Sequence, residues 1–163
     1  MNVIVAVDNN WGIGCKNELL YEIPDDMQFF KDKTNGKIVI MGLATLRSLP
    51  GSKPLKNRVN IVLSDEGNLM ENAVVCSSVE QVLEEAKKYD SDDVFVIGGQ
   101  MIYELFLPYC KRAFITKIDA AKNADKYFPN VDEISGWELV SESEEKAHGD
   151  LKYKFTEYKK ASS

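Results

Sequence analysis

The sequence predicts an α/β fold: one domain, residues 1–163, on a mixed, mostly parallel sheet of eight strands, flanked by helices and ending in an antiparallel hairpin. Three observations carry this. Short β-branched runs alternate with segments of helical periodicity, several of those runs are apolar almost without a break, and the C-terminal part switches to alternating apolar and polar residues. A continuous apolar run suits a strand covered by helices on both faces, whereas alternation suits a strand with one wet face.

In chain order, residues 2–8 (NVIVAVD) form the first strand. Pro24 can take the first position of a helix running to about residue 35, where its missing N–H does no harm. Strands come next at 37–41 (KIVIM), 58–64 (RVNIVLS) and 73–77 (AVVCS). The clearest helix spans 79–89. Val79, Val82, Leu83, Ala86 and Tyr89 fall at helical spacing there, and Ser78 with Gln81 makes a capping box. A strand at 94–98 (VFVIG) leads into a helix over 99–107 that stops near Pro108, and 113–119 (AFITKID) is the next strand. Residues 137–144 and 152–159 alternate around a turn at Gly149-Asp150, which predicts the hairpin. No repeat, low-complexity tract or linker interrupts this order.

With 44% hydrophobic and 28% charged residues, a chain of this length has apolar material for one sizeable core. A formal net charge of −6 argues against a nucleic-acid or anionic-membrane surface, both of which want clustered Lys and Arg. No apolar run approaches the roughly 20 residues of a membrane span. The opening MNVIVAVDNN lacks a basic start and a small-residue cleavage site, so it reads as a strand instead of a signal peptide, and a cytoplasmic protein is expected. Cys15, Cys76 and Cys110 are odd in number and widely spaced, which fits reduced thiols used as small hydrophobes. His148 is the only histidine and lies in an acidic stretch, SESEEKAHGD, expected as an exposed turn. A Ser-His-Asp triad, a Cys-His pair or a histidine metal site would each rest on it, so no metal is expected. Acid–base work then falls to a carboxylate, a Lys, a Tyr or water.

Three features are candidates for chemistry, each with a plain structural alternative. Gly12 and Gly14 come after the first strand but lack the third glycine and immediate helix of a dinucleotide fingerprint, since position 17 is Asn17. They mark a long loop, either an active-site lid or a connector. Asp26 shares a helix face with Ile23, Met27 and Phe30, which puts a carboxylate on an apolar stripe. Either it complements the helix N-terminus, as Asp25 does, or it meets an amidine-like or cationic partner. The third feature is a pair of strand–helix junctions, Met41-Gly42-Leu43-Ala44-Thr45 and Ile97-Gly98-Gly99-Gln100-Met101. Glycines there serve close packing, or let two phosphates approach free N–H groups at strand C-termini.

Together these segments resemble the dihydrofolate reductase family. The carriers run from residue 2 to 159: AVDNNWGIG (6–14), IPDDMQFF (23–30), VIMGLATLRSL (39–49), PLKNRVNIVLS (54–64), VIGGQMIYELFLP (96–108), and TKIDA with DKYFP (116–120, 125–129). Six ordered blocks are far more specific than the glycine pair alone. The resemblance implies reduction of dihydrofolate to tetrahydrofolate by a reduced nicotinamide, in support of one-carbon and thymidylate metabolism. It implies Asp26 on the pterin N3 and 2-amino group, Thr116 supporting it through a hydroxyl and a water, and Tyr21 in the catalytic set. It places Arg58 on the α-carboxylate of the substrate's glutamate tail, a bidentate task. Ile4, Val5, Ala6, Met27, Phe30, Leu55 and Ile97 would wall the substrate. Ala6, Ile13, Gly14, Ile97, Gly98, Gly99 and Tyr103 would surround the nicotinamide and its ribose and phosphates. Gly42, Thr45, Gly99, Gln100, Met101 and Ile102 would cradle the pyrophosphate, with Leu43, Leu63 and Ser64 completing the cofactor site. Residues 9–23 would form a mobile lid, and antifolate-type molecules would compete for the substrate site. Nothing demands an oligomer, so a monomer is expected.

The sequence departs from the family pattern in places. Leu19-Leu20-Tyr21 stands where Leu-Pro-Trp is usual, Leu43 and Ala44 replace basic residues, Met101 replaces a frequent arginine, and Asp65 comes after Ser64 near the expected 2′-phosphate. A carboxylate there repels a 2′-phosphate and accepts from a free ribose diol, so NADPH with appreciable use of NADH is expected. Alternatives remain at this point: a pyrimidine or pterin reductase of the same fold, which would need neither Asp26 beside Phe30 nor Arg58, or a non-catalytic nucleotide-binding module.

Overall fold

The structure is a computed structural model that describes residues 1–66 and 71–161. Its strands are β1 (Asn2–Val7), β2 (Gly12–Cys15), β3 (Glu18–Leu19), β4 (Ile38–Gly42), β5 (Val59–Leu63), β6 (Ala73–Cys76), β7 (Val94–Gly98), β8 (Arg112–Ile118), β9 (Lys126–Tyr127), β10 (Trp137–Glu142), β11 (Lys146–His148) and β12 (Leu151–Lys160). The α-helices are α1 (Pro24–Thr34), α2 (Leu43–Ser48), α3 (Val79–Ala86) and α4 (Gln100–Phe106).

The main sheet runs β10-β12-β8-β1-β7-β4-β5-β6, parallel from β8 to β6 and antiparallel at the β12 end. Every residue of β4 is buried, as its unbroken apolar run predicts. Because side chains alternate along a strand, each central strand feeds two cores. Ile38 and Ile40 of β4 join Val94 and Val96 of β7 against α3 and α4, where Val82, Ala86, Ile102 and Phe106 pack. Val39 and Met41 face Leu46 of α2 on the other side, and Ile4, Phe95 and Phe114 meet Phe29 and Phe30 of α1 there. So α1 and α2 cover one face, and α3 and α4 the other.

The ends of elements differ from expectation where tertiary contacts intervene. Ser78 caps α3, accepting from the Gln81 N–H at 3.2 Å, but the Gln81 side chain reaches Ser77 N–H at 2.8 Å instead of closing the box on Ser78. The C-terminal hairpin is three strands. The Gly149-Asp150 turn joins β11 to β12, with His148 opposite Leu151, while β10 pairs with the far half of β12. β12 is ten residues long, enough to serve both. The loop at 9–23 contains a ribbon, β2 with β3, and β2 also pairs with β9. Such glycine-containing pairs carry little propensity of their own and are set by a partner more than a hundred residues away.

The two strand–helix junctions meet because β4 and β7 are neighbours, with Met41 beside Gly98. Gly98 has φ +122°, open to glycine, and any Cβ there would lie 3.2 Å from the Tyr103 ring. At Gly42 a Cβ would lie 2.9 Å from Cγ1 of Ile102, itself 2% exposed. Gly42→Ala should therefore overpack the α4 side and lower stability by about 1–3 kcal/mol, read from the denaturant midpoint; an unchanged midpoint would show that Ile102 has room to move.

Candidate active site

Asp26 lies in the first turn of α1, after Pro24 at its first position and Ile23, whose side chain is buried at 2% exposure. The N-cap residue makes no side-chain hydrogen bond. What holds the turn comes from the sheet. Thr116 of β8 is aligned with Ala6 of β1 on one side and Phe155 of β12 on the other, and is itself 2% exposed. Its hydroxyl donates to Oδ1 of Asp26 at 2.6 Å. The contact is direct: β8 carries the hydroxyl to within hydrogen-bond distance of the carboxylate. Burial pushes the Asp26 carboxyl above its ordinary value; the Thr116 bond opposes this and the neighbouring Asp25 charge adds to it. Asp25 accepts from the Tyr153 hydroxyl at 2.8 Å.

Ile4, Phe30 and Ile97 share the cluster on this face, and Phe29 stacks on Phe155 at 4.5 Å with an interplanar angle of 15°. Met27 is 57% exposed at the outer edge, so it offers a wall only to something outside the protein. The Val5 side chain does not line this face. It packs against the opposite core with Val3 and Val7, because strand alternation turns it away from Ile4 and Ala6, and only its backbone is available here. Leu55 is held by Asn60, whose side chain bonds both its N–H and its carbonyl. Arg58 is half-buried, its guanidinium 6.0 Å from the Phe30 ring, and its Nε has no hydrogen-bond partner among the described residues. Burial lowers its pKa. An open cleft of about 790 Å³ beside it is lined by Pro54, Leu55, Lys53 and Lys56 among others.

On the other side of β7, the first turns of α2 and α4 have no side-chain caps. Gly42 and Gly99 stand at their N-caps, and a Cβ on Gly99 would lie 3.6 Å from the Thr45 hydroxyl. The side chains nearby are largely committed elsewhere. Gln100 donates to Glu104 at 3.0 Å and accepts from the Tyr127 N–H at 2.8 Å. The Ile102 side chain is core, and the Tyr103 hydroxyl donates to the Ile4 carbonyl at 2.9 Å, with burial raising its pKa far above the usual range. Met101 is 66% exposed and Ala44 is exposed, while Leu43 packs beneath α2. At the end of β5, Leu63 packs inward. Ser64 is buried and accepts from the Glu66 N–H at 3.1 Å, and Asp65 is exposed. Arg47, which the sequence did not single out, pairs with Glu66 at 2.9 Å. Arg47 and Lys16 border a second cleft, of about 440 Å³, between α2 and the ribbon.

The ribbon is tied down by Asp8, another residue the sequence did not single out. Its buried carboxylate accepts from the N–H groups of Asn10, Gly12 and Lys122 at 2.9, 2.8 and 3.2 Å. An acid ending an apolar strand was the available signal. Ile13 packs partly on the main core, and Gly14 pairs with Leu19 and Lys126. Lys122 bonds the Leu20 carbonyl at 2.9 Å and lies 4.4 Å from the Tyr21 ring centre. The Tyr21 hydroxyl is buried without a partner among the described residues, and burial, with the Asp8 charge, raises its pKa. His148 is exposed on β11, outside this site.

Known proteins with this arrangement agree on one family. The family described as dihydrofolate reductase matches residues 1–160. The chain is 36% identical to a dihydrofolate reductase of Bacillus subtilis, covering 100% of this chain and 96% of that one. It is 34% identical to a bifunctional dihydrofolate reductase-thymidylate synthase of Glycine max, covering 96% of this chain and 33% of that protein. Among solved structures, the dihydrofolate reductase from Enterococcus faecalis complexed with NADP(H) and RAB-propyl superposes with a TM-score of 0.87 at 31% identity, covering 99% of this chain and 96% of that one. A half-buried acid backed by a strand threonine, beside paired glycine junctions at the C-termini of β4 and β7, is thus set in a chain that belongs to the dihydrofolate reductase family.

Proposed function

We propose that the chain reduces 7,8-dihydrofolate to 5,6,7,8-tetrahydrofolate, with Asp26 binding and polarising the pterin. The observation that carries this is the 2.6 Å bond from Thr116, which occupies Oδ1 and leaves Oδ2 for a ligand. A flat heterocycle offering two N–H donors along one edge suits such a carboxylate. Phe30, Ile4 and Ile97 supply apolar surface beside it, and Met27 adds an exposed apolar side chain on the same helix. Arg58, with an unused buried Nε, is the residue for the tail carboxylate. Antifolate-type heterocycles would be held by the same acid.

The chain's own residues fit a nicotinamide dinucleotide. Uncapped N–H groups at α2 and α4, each behind a glycine, start at the C-termini of the neighbouring strands β4 and β7 and suit a pyrophosphate. When bound, the reduced nicotinamide supplies the hydride taken up at C6 of the pterin. Asp26 lies on the β1/β8 side, so the rest of the dinucleotide must run toward β5, where Ser64 and Asp65 stand. With no histidine in the site, the N5 proton comes from water; Asp26 orients and polarises the ring, and the 9–23 segment sheds bulk solvent. We take NADPH as the cofactor, in line with the Enterococcus relative, with NADH also used: Leu43 and Met101 bring no charge to the β5 end, Asp65 brings a negative one, and Arg47 is engaged by Glu66. The protein would act as a cytoplasmic monomer with its three cysteines reduced.

Asp26→Asn keeps an acceptor for Thr116 and should lower kcat/KM near neutral pH by about 10²-fold or more without weakening cofactor affinity; activity within about threefold of the parent would unseat Asp26. The same variant should be the more stable one at neutral pH. The folded state holds the Asp26 proton more tightly than the unfolded chain, so its ionisation withdraws stability as pH rises from the ordinary value of 3.8 through the raised folded value. Thermal melts should separate above that window and coincide below it. Arg58→Lys should raise KM for dihydrofolate with kcat little changed, in steady-state assays. Comparing kcat/KM with NADPH and NADH should show a preference smaller than about a thousandfold, or some 4 kcal/mol; a larger one would remove NADH from the proposal.

A further inference from the structure

The first turn of α1 carries two carboxylates, and the function proposed above uses one of them. Asp25 is exposed, yet it accepts a 2.8 Å hydrogen bond from Tyr153, whose side chain is 4% exposed. The two carboxylates are gripped from neighbouring strands. Tyr153 on β12 stands opposite Ile118, and Phe155 stands opposite Thr116 on β8. Alternation puts all four on one face of the sheet, so two hydroxyls from adjacent strands hold consecutive acids of one helical turn. Ile23 packs with Ile118 and Tyr153 beneath that turn, and Phe29 stacks on Phe155 one turn further on. No side-chain cap does this work at the N-cap, which is Ile23.

We propose that the Tyr153–Asp25 pair is a positioning device for Asp26: it fixes the turn from which Asp26 meets Thr116 and the pterin, and it pins a second negative charge beside that carboxylate. The inference rests on the assignment of Asp26 to the pterin. Burial and the bond to Asp25 push the Tyr153 hydroxyl up to about 12, so it stays a donor across the working range. Left free, Asp25 would swing into water, where its charge is screened. The groups acting with Asp26 are Thr116 on β8, Asp25 on its own helix, Tyr103 on α4 and Tyr153 on β12, and none is a cation. The pinned charge thus works in the same direction as burial and keeps Asp26 protonated to higher pH. Turnover takes up one proton from water with each hydride, and Asp26 polarises the ring that receives it, so activity falls on the alkaline side of the Asp26 titration.

Two variants separate charge from position. Asp25→Asn keeps an oxygen for Tyr153 and removes the charge; the alkaline limb of kcat/KM for dihydrofolate against pH should move to lower pH, with the acid plateau retained. Tyr153→Phe keeps the ring against Ile118 and Phe155 and removes the hydroxyl. It should lower kcat/KM at the acid plateau by about two- to tenfold, the worth of one hydrogen bond, with cofactor Kd unchanged by fluorescence titration. Asp25→Ala, alone or combined with Tyr153→Phe, should give the same plateau loss, because each removes one bond. Coincident pH limbs for Asp25→Asn and the parent, or additive losses in the double variant, overturn the proposal. A parent protein that fails to oxidise the nicotinamide when given dihydrofolate overturns the proposed function, and this inference with it.

Discussion

A carboxylate partly withdrawn from water needs partners, and Asp26 is given a single hydroxyl by the sheet, at 2.6 Å. A hydrogen bond to a charged group contributes about 1.5–3 kcal/mol, less than burying an ionised carboxyl costs. The shortfall shows as a raised pKa. Under the proposed function, a ligand donating to the other oxygen would make up that shortfall. The arrangement depends on strand order. Only because β8 lies between β1 and β12 do Ala6, Thr116 and Phe155 stand abreast, with α1 laid across them through Phe29 and Phe30.

The proposed dinucleotide side is organised on a different principle. Its side chains are mostly occupied with the protein itself: Gln100 with Glu104 and Tyr127, Tyr103 with the Ile4 carbonyl, and Ile102 with the core. What remains is backbone, brought close by glycines at Gly42 and Gly99 and left uncapped at both helix starts. N–H groups that hold a pyrophosphate are indifferent to the rest of a dinucleotide, so under the proposed function discrimination would fall to the end of β5. There Asp65 is exposed and Arg47 is already paired with Glu66. On the proposed reading, pyrophosphate binding and the choice between a ribose diol and a ribose phosphate would be separable.

Local periodicity and motif order were enough to read the layered core and the position of the acid. The doubly covered strands were legible because 37–41 and 94–98 are apolar at both parities, and α1 and α3 because proline and serine mark their starts. The placement of Asp26 on an apolar helix face was legible from residues three and four apart. Which face Val5 occupies was open to the same parity rule, and the family resemblance obscured it. Other partners emerged only in three dimensions: Tyr153 on Asp25, Glu66 on Arg47, Asp8 beneath the ribbon, and β11 and β9 paired at all. Each of these joins segments that propensity treats as independent. Hydrogen bonds between distant residues exist because strand order and register bring their ends within about 3 Å, a proximity that no window of neighbouring residues contains.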